Sequence, residues 1–142
     1  MRSKSPLALM EQVVMVLVFA LAAALCLQVF ALSDQMSERN QEVDRAVLLA
    51  QNTAETIKVY GGVTEAAETV GGTVRQTLWS TYYYEDLTPA PNAESGYYHV
   101  DVLPENSGVN GLGQASIEVF RWDGNEGLFA LTVAWQEVSG NE

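Results

Sequence analysis

Hydrophobic and polar positions divide the chain into three regimes. From Leu7 to Leu32 the chain is one apolar run, broken early by Glu11 and Gln12; Val13 to Leu32 has Gln28 as its only strongly polar member. Such a stretch spans about 30 Å as a helix, enough to cross a bilayer. From Ser33 the pattern becomes amphipathic, with Val43, Val47, Ala50, Ala54 and Ile57 at alternating steps of four and three. This spacing predicts one apolar helical stripe. Gly61-Gly62 supplies the stop, so a single helix is expected from about Pro6 to Tyr60, about 80 Å long. Ser33-Asp34 could instead cap a separate second helix.

Beyond Gly62 the period changes. Thr64 to Val70 reads as a short helix capped by Thr64, with Glu65 in its first turn and Gly71-Gly72 as its stop. Thr77 to Glu85 carries Leu78, Trp79, Tyr82, Tyr83 and Tyr84, residues favoured in strands. Leu87 to Gly96 reads as a loop. Tyr97 to Leu103 then alternates, Tyr98, Val100 and Val102 against Tyr97, His99 and Asp101. After a loop over Pro104 to Gly113, Gln114 to Trp122 places Ala115, Ile117, Val119 and Arg121 on one face. Asp123 to Gly127 is a turn, and Leu128 to Val138 returns with Phe129, Leu131, Val133 and Trp135 facing the helix stripe. The expected fold is α+β: a long N-terminal helix, membrane-spanning in its first half, packed on about four antiparallel strands.

Charge supports this division. The chain of 142 residues has 18 acidic and 7 basic residues, and all but Glu11, Arg2 and Lys4 lie beyond Ser33, leaving 17 against 5 there. A surface this anionic argues against nucleic acid, whose phosphates require clustered Lys and Arg. Arg2 and Lys4 precede the run and Asp34 is the first charge after it, so the positive-inside bias predicts a cytoplasmic N-terminus and an extracytoplasmic remainder. The organisation expected is a basic leader over residues 1–6, a transmembrane and assembly helix over 7–32, and an outer domain over 33–142. A secretory signal peptide cleaved near Val29-Phe30-Ala31 has the same basic start, although its apolar core is rarely longer than about 15 residues. Cys26, the only cysteine, excludes an intramolecular disulfide. The bulky Leu25 before it does not suit a lipoprotein signal.

Leu7-Ala8-Leu9-Met10-Glu11 followed by Gln12-Val13-Val14-Met15-Val16-Leu17 resembles the N-terminal segment of the type IV pilin-like proteins, which include pilins and the pseudopilins of secretion and competence systems. The likeness continues more loosely through Ala50-Gln51-Asn52-Thr53-Ala54-Glu55 into an antiparallel sheet. It implies a prepilin peptidase cutting between Pro6 and Leu7, methylation of the new amine, and assembly with other pilin-like subunits through the apolar helix. Proline in place of the family's usual small residue marks the chain as divergent, closer to a minor pilin or pseudopilin. Glu11 would then pair with the N-terminal amine of a neighbouring subunit and set axial register, because a buried unpaired carboxylate costs several kcal/mol. The bland alternative keeps Glu11 at headgroup level, one turn outside the span.

Catalysis finds little support, and neither a cofactor nor a metal is expected. His99, the only histidine, reads as a sheet-surface residue. Glu85 and Asp86 could share a cation with Asp101 or Asp123, but no calcium-loop spacing is present and a solvated loop is the simpler account. The aromatic run Trp79 to Tyr84 reads as core more than as an adhesive face. The chain is therefore expected to be a non-catalytic, filament-forming subunit whose partners are like subunits, the peptidase and the bilayer. The rival from another class is a single-pass, membrane-anchored extracellular binding domain that does not polymerise.

Overall fold

The computed structural model describes residues 5–122 and 126–137. Arg2 and Lys4 of the expected leader, the turn residues Asp123 to Asn125, and Val138 lie outside the described residues. The first helix, α1, runs Ser5–Tyr60 without interruption. No glycine or proline occurs between Leu7 and Tyr60, so no residue in that stretch breaks the hydrogen-bond ladder. Ser33-Asp34 therefore does not cap a second helix; both residues are helical. By contact density the chain forms two units, residues 1–40 and 41–142.

Within the second unit, α1 ends as the paired glycines demand. Gly61 has φ 78°, and the Gly62 amide donates to the Ile57 carbonyl at 3.1 Å. A left-handed residue followed by this backward bond is the Schellman stop, and only glycine takes that φ without cost. α2 (Val63–Val70) begins at once, with Gly62 at its N-cap and no side-chain cap bond. The expected cap at Thr64 is thus corrected: the helix starts one residue earlier, because the Gly62 carbonyl already accepts the Ala66 amide at 3.2 Å. Gly71, at φ 87°, ends α2. The Trp79 indole Nε1 donates to the Gly71 carbonyl at 2.8 Å and closes this helix end against the sheet.

The sheet holds six strands among the described residues, rather than about four: β1 (Thr73–Arg75), β2 (Leu78–Tyr83), β3 (Pro89–Ala90), β4 (Tyr98–Glu105), β5 (Leu112–Arg121) and β6 (Glu126–Gln136). Their order is β1-β2-β4-β5-β6, with β3 on β2, and every pairing is antiparallel. The four long strands are the expected meander. The extra two are short pieces that dock on the outer side of β2, and the loop expected over Pro104 to Gly113 shrinks because β4 continues to Glu105 and β5 starts at Leu112.

One core lies between α1 and the sheet. Ala46, Leu49, Ala50, Thr53, Ala54 and Ile57 of α1 are buried with Tyr98, Val100, Val102, Ala115, Ile117, Val119 and Val133. The helix stripe is rotated slightly from the one expected: Ala46, Leu49 and Thr53 join it, while Val43 and Val47 flank it half-buried. Within this stripe the Thr53 hydroxyl is satisfied by the Leu49 carbonyl at 2.8 Å. Each large aliphatic side chain so buried contributes about 1.5–3 kcal/mol. Phe129, Leu131 and Trp135 line the rim of the same core.

Gly113 on β5 lies opposite Trp135 on β6, and a Cβ there would overlap the indole. Gly113→Ala should therefore destabilise the fold by about 1–3 kcal/mol. In a Trp135→Leu background the same substitution should cost much less, a non-additivity that denaturant unfolding of the four variants would measure.

Candidate functional site

Two regions carry the residues singled out by sequence. In the first unit, Pro6 and Leu7 stand in the opening turn of α1, where proline is tolerated because the first amides have no helical partner. Glu11 follows about one turn later and is exposed, as are Leu7, Val13, Val16, Phe19, Leu25, Phe30 and Leu32. It is the only charged residue between Lys4 and Asp34. Among the described residues, α1 is the one helix long and apolar enough to cross a membrane, and none of its most apolar window is buried by the chain itself. Polar peptide groups are satisfied along this stretch by the helix, while its side chains lack protein partners within the chain.

The second region is the sheet with the part of α1 that it carries. Glu42 on α1 accepts hydrogen bonds from the Tyr97 hydroxyl at 2.9 Å and from the Arg121 guanidinium, whose Nη1 lies 3.2 Å from both carboxylate oxygens. This half-buried cluster ties helix to sheet where β4 begins and β5 ends. Burial, then the hydrogen bond to Glu42, pushes the Tyr97 phenol up to about 12. Alternation predicts Arg121 on one face of β5 with Ala115, Ile117 and Val119, and its partner Glu42 on α1 explains why a charge belongs there. Arg45 on α1 reaches the exposed Glu85 at 3.5 Å, a surface pair of little energetic weight.

On the opposite face of the sheet, Ser80, His99 and Asp101 meet. The Ser80 hydroxyl donates to Asp101 Oδ1 at 2.5 Å, and His99 Nε2 lies 2.8 Å from the same oxygen. The three residue types are those of a hydrolytic triad, but their order is not: nucleophilic activation requires the imidazole between serine and carboxylate, and here the carboxylate stands in the middle. Ser80 is moreover only 6% exposed. The Tyr82 ring lies against His99, centroids 4.9 Å apart, with Phe120 and Trp122 on its other sides at 6.3 and 6.2 Å. His99 is thus a half-buried member of the outer sheet face. Trp79 is core, Tyr83 packs at its rim, and Tyr82 and Tyr84 turn outward.

The carboxylates considered for a shared cation are separated by their partners. Asp86 accepts the Thr88 amide and hydroxyl at 3.0 and 2.6 Å, Glu85 meets Arg45, and Asp101 is engaged as above. Asp123 lies outside the described residues. Among those residues, no three His, Cys, Asp or Glu side chains group as metal ligands. Comparison with known protein families, with curated proteins and with solved structures finds no match to this chain.

Burial raises the Asp101 carboxyl, but the contacts from His99 and Ser80 outweigh it and hold the group below its ordinary 3.8. A depressed folded-state value means that stabilisation is fully present above 3.8 and is lost as pH falls through the lower folded value. Stability measured from neutral to strongly acidic pH should therefore drop in that acid range, and Asp101→Asn should remove this part of the drop.

Proposed function

We propose that the chain is a non-catalytic subunit of the type IV pilin-like kind, a minor pilin or pseudopilin, held in the cell membrane by the first half of α1 and assembling with like subunits through it. The observation that carries this reading is α1 itself: an exposed apolar segment with a single carboxylate, Glu11, near its start, continuous with the amphipathic segment that forms the core of an α+β domain. A plain anchor has no use for a carboxylate placed inside its apolar run. A subunit that enters a helical bundle does, because a carboxylate buried there without a cationic partner costs several kcal/mol.

On this reading prepilin peptidase cuts between Pro6 and Leu7, the N-terminus starts on the cytoplasmic side and the sheet domain lies outside. The freed amine of one subunit then meets Glu11 of its neighbour. Such a pair acts in register more than in net stability, since desolvation cancels much of the attraction.

Glu11→Ala should abolish incorporation into the filament while membrane insertion and the fold of the outer domain stay intact, as read by fractionation and protease resistance. Intact mass and N-terminal sequence of protein from its native membrane, with and without the peptidase, should give a chain starting at Leu7 only when the enzyme is present. Normal incorporation of Glu11→Ala would sink the register role. Retained function after exchange of the anchor for an unrelated transmembrane helix would favour a non-polymerising extracellular binding domain.

A further inference from the structure

Strand β6 ends the sheet. β5 pairs with one of its sides, and among the described residues no strand pairs with the other. An outer strand exposes a row of unpaired N–H and C=O groups, so soluble proteins usually blunt it with shortness, charge, proline or a bulge. The opposite side of this sheet has such devices: β1 is three residues long and ends in Arg75, and β3 is two residues long and starts with Pro89. β6 has almost none. It is 11 residues long, about 35 Å of edge, and Gly127 to Gln136 contains no charged residue and no proline. The one register irregularity sits at its start, opposite Val119 and Phe120, and leaves Phe129 to Gln136 regular.

Side chains along β6 are as open as its backbone. Ala130, Thr132, Ala134 and Gln136 are exposed on the outer face. On the inner face Val133 is buried, whereas Phe129, Leu131 and Trp135 stay half-buried at the rim of the core. A strand laid along this edge would complete the cover of those three.

We propose that the free edge of β6 pairs antiparallel with the same edge of a second copy of this chain, joining two sheets across a two-fold axis. Edge length and charge select this occupant. A head-to-tail contact of β6 with β1 would pair only three residues and bring Arg75 against an apolar strand. Against its own copy, β6 meets an equally long, uncharged strand, inner apolar residues beside inner apolar residues and small outer ones beside small outer ones. The surplus of acidic residues elsewhere opposes close approach of two copies, so the contact should tighten as salt screens that repulsion. This inference rests on the sheet alone and not on the filament reading.

The test uses the full chain in detergent with Cys26→Ala to remove its native thiol. Sedimentation across protein and salt concentrations should show a monomer–dimer equilibrium that shifts toward dimer with salt. Thr132→Lys, on the exposed face, should weaken it by about tenfold or more by setting like charges across the axis, with hydrogen-exchange protection of the core unchanged. Single cysteines placed by Ala130→Cys, Thr132→Cys and Ala134→Cys should cross-link under mild oxidation at one of the three positions, the one nearest the axis. A monomer at every concentration and salt would overturn the proposal, as would a dimer indifferent to Thr132→Lys, which would be held by α1 instead. Equal cross-linking at all three positions would also overturn it, as the mark of open-ended aggregation.

Discussion

A helix satisfies its own backbone, and on that property the rest of this structure depends. α1 passes from a stretch whose side chains have no protein partners to one whose stripe is covered by a sheet, and its peptide groups remain paired throughout. A strand could not make that passage, because its hydrogen bonds need neighbours at every step. The helix alone, however, decides little about the sheet. Its second part offers a narrow stripe of small residues, Ala46, Ala50 and Ala54, with Leu49 and Ile57 as the bulky members. Such a stripe fits a flat, pleated surface whose inward residues are β-branched or aromatic, which Val100, Val102, Ile117, Val119 and Tyr98 provide.

Polar contacts then fix what apolar packing leaves loose. Burial of a stripe resists separation but tolerates rotation and sliding by a fraction of a turn. Glu42 restricts that freedom because its carboxylate meets both Arg121 and Tyr97, which stand side by side where β4 begins and β5 ends. The same contacts push the Tyr97 phenol up, by burial first and then by the adjacent Glu42 carboxylate. Asp101 acts on the other face in the opposite sense, kept charged by the groups around it.

The elements with a period were legible in the sequence. Alternation groups Tyr98, Val100 and Val102 on one face of β4 and Ala115, Ile117 and Val119 on one face of β5, and all six are buried, whereas of Phe129, Leu131, Val133 and Trp135, expected to face the helix, only Val133 is fully buried. Strands of two and three residues have no period, so β1 and β3 left no mark beyond Pro89 and the glycines before Thr73. The N-cap of α2 misled for a different reason: Thr64 is a good capping residue in general, but the Schellman glycines bring the next helix in too early for it to serve. Contacts between residues far apart in sequence were the least accessible. Glu42 and Arg121 are separated by 79 positions, and their meeting depends on helix rotation and strand register together. His99 and Asp101 share a face by spacing alone, but Ser80 joins them only through the pairing of β2 with β4.

Charge distribution links the two halves of the fold. With so many acidic side chains, non-specific association is disfavoured over most of the surface, and that makes the uncharged stretches stand apart. Two of them differ in kind: the apolar run of α1 beyond Glu11, and β6 from Gly127 to Gln136. The first is apolar on all sides of a helix, a pattern suited to lipid or to other helices, whereas the second alternates and presents backbone, a pattern suited only to another strand. The acidic residues of the outer domain do not block pairing of β6, since that contact is made by groups without charge. They set instead a repulsive background against which only well-matched surfaces can hold, so the same negative charge that keeps the domain dispersed also restricts which partners it can accept.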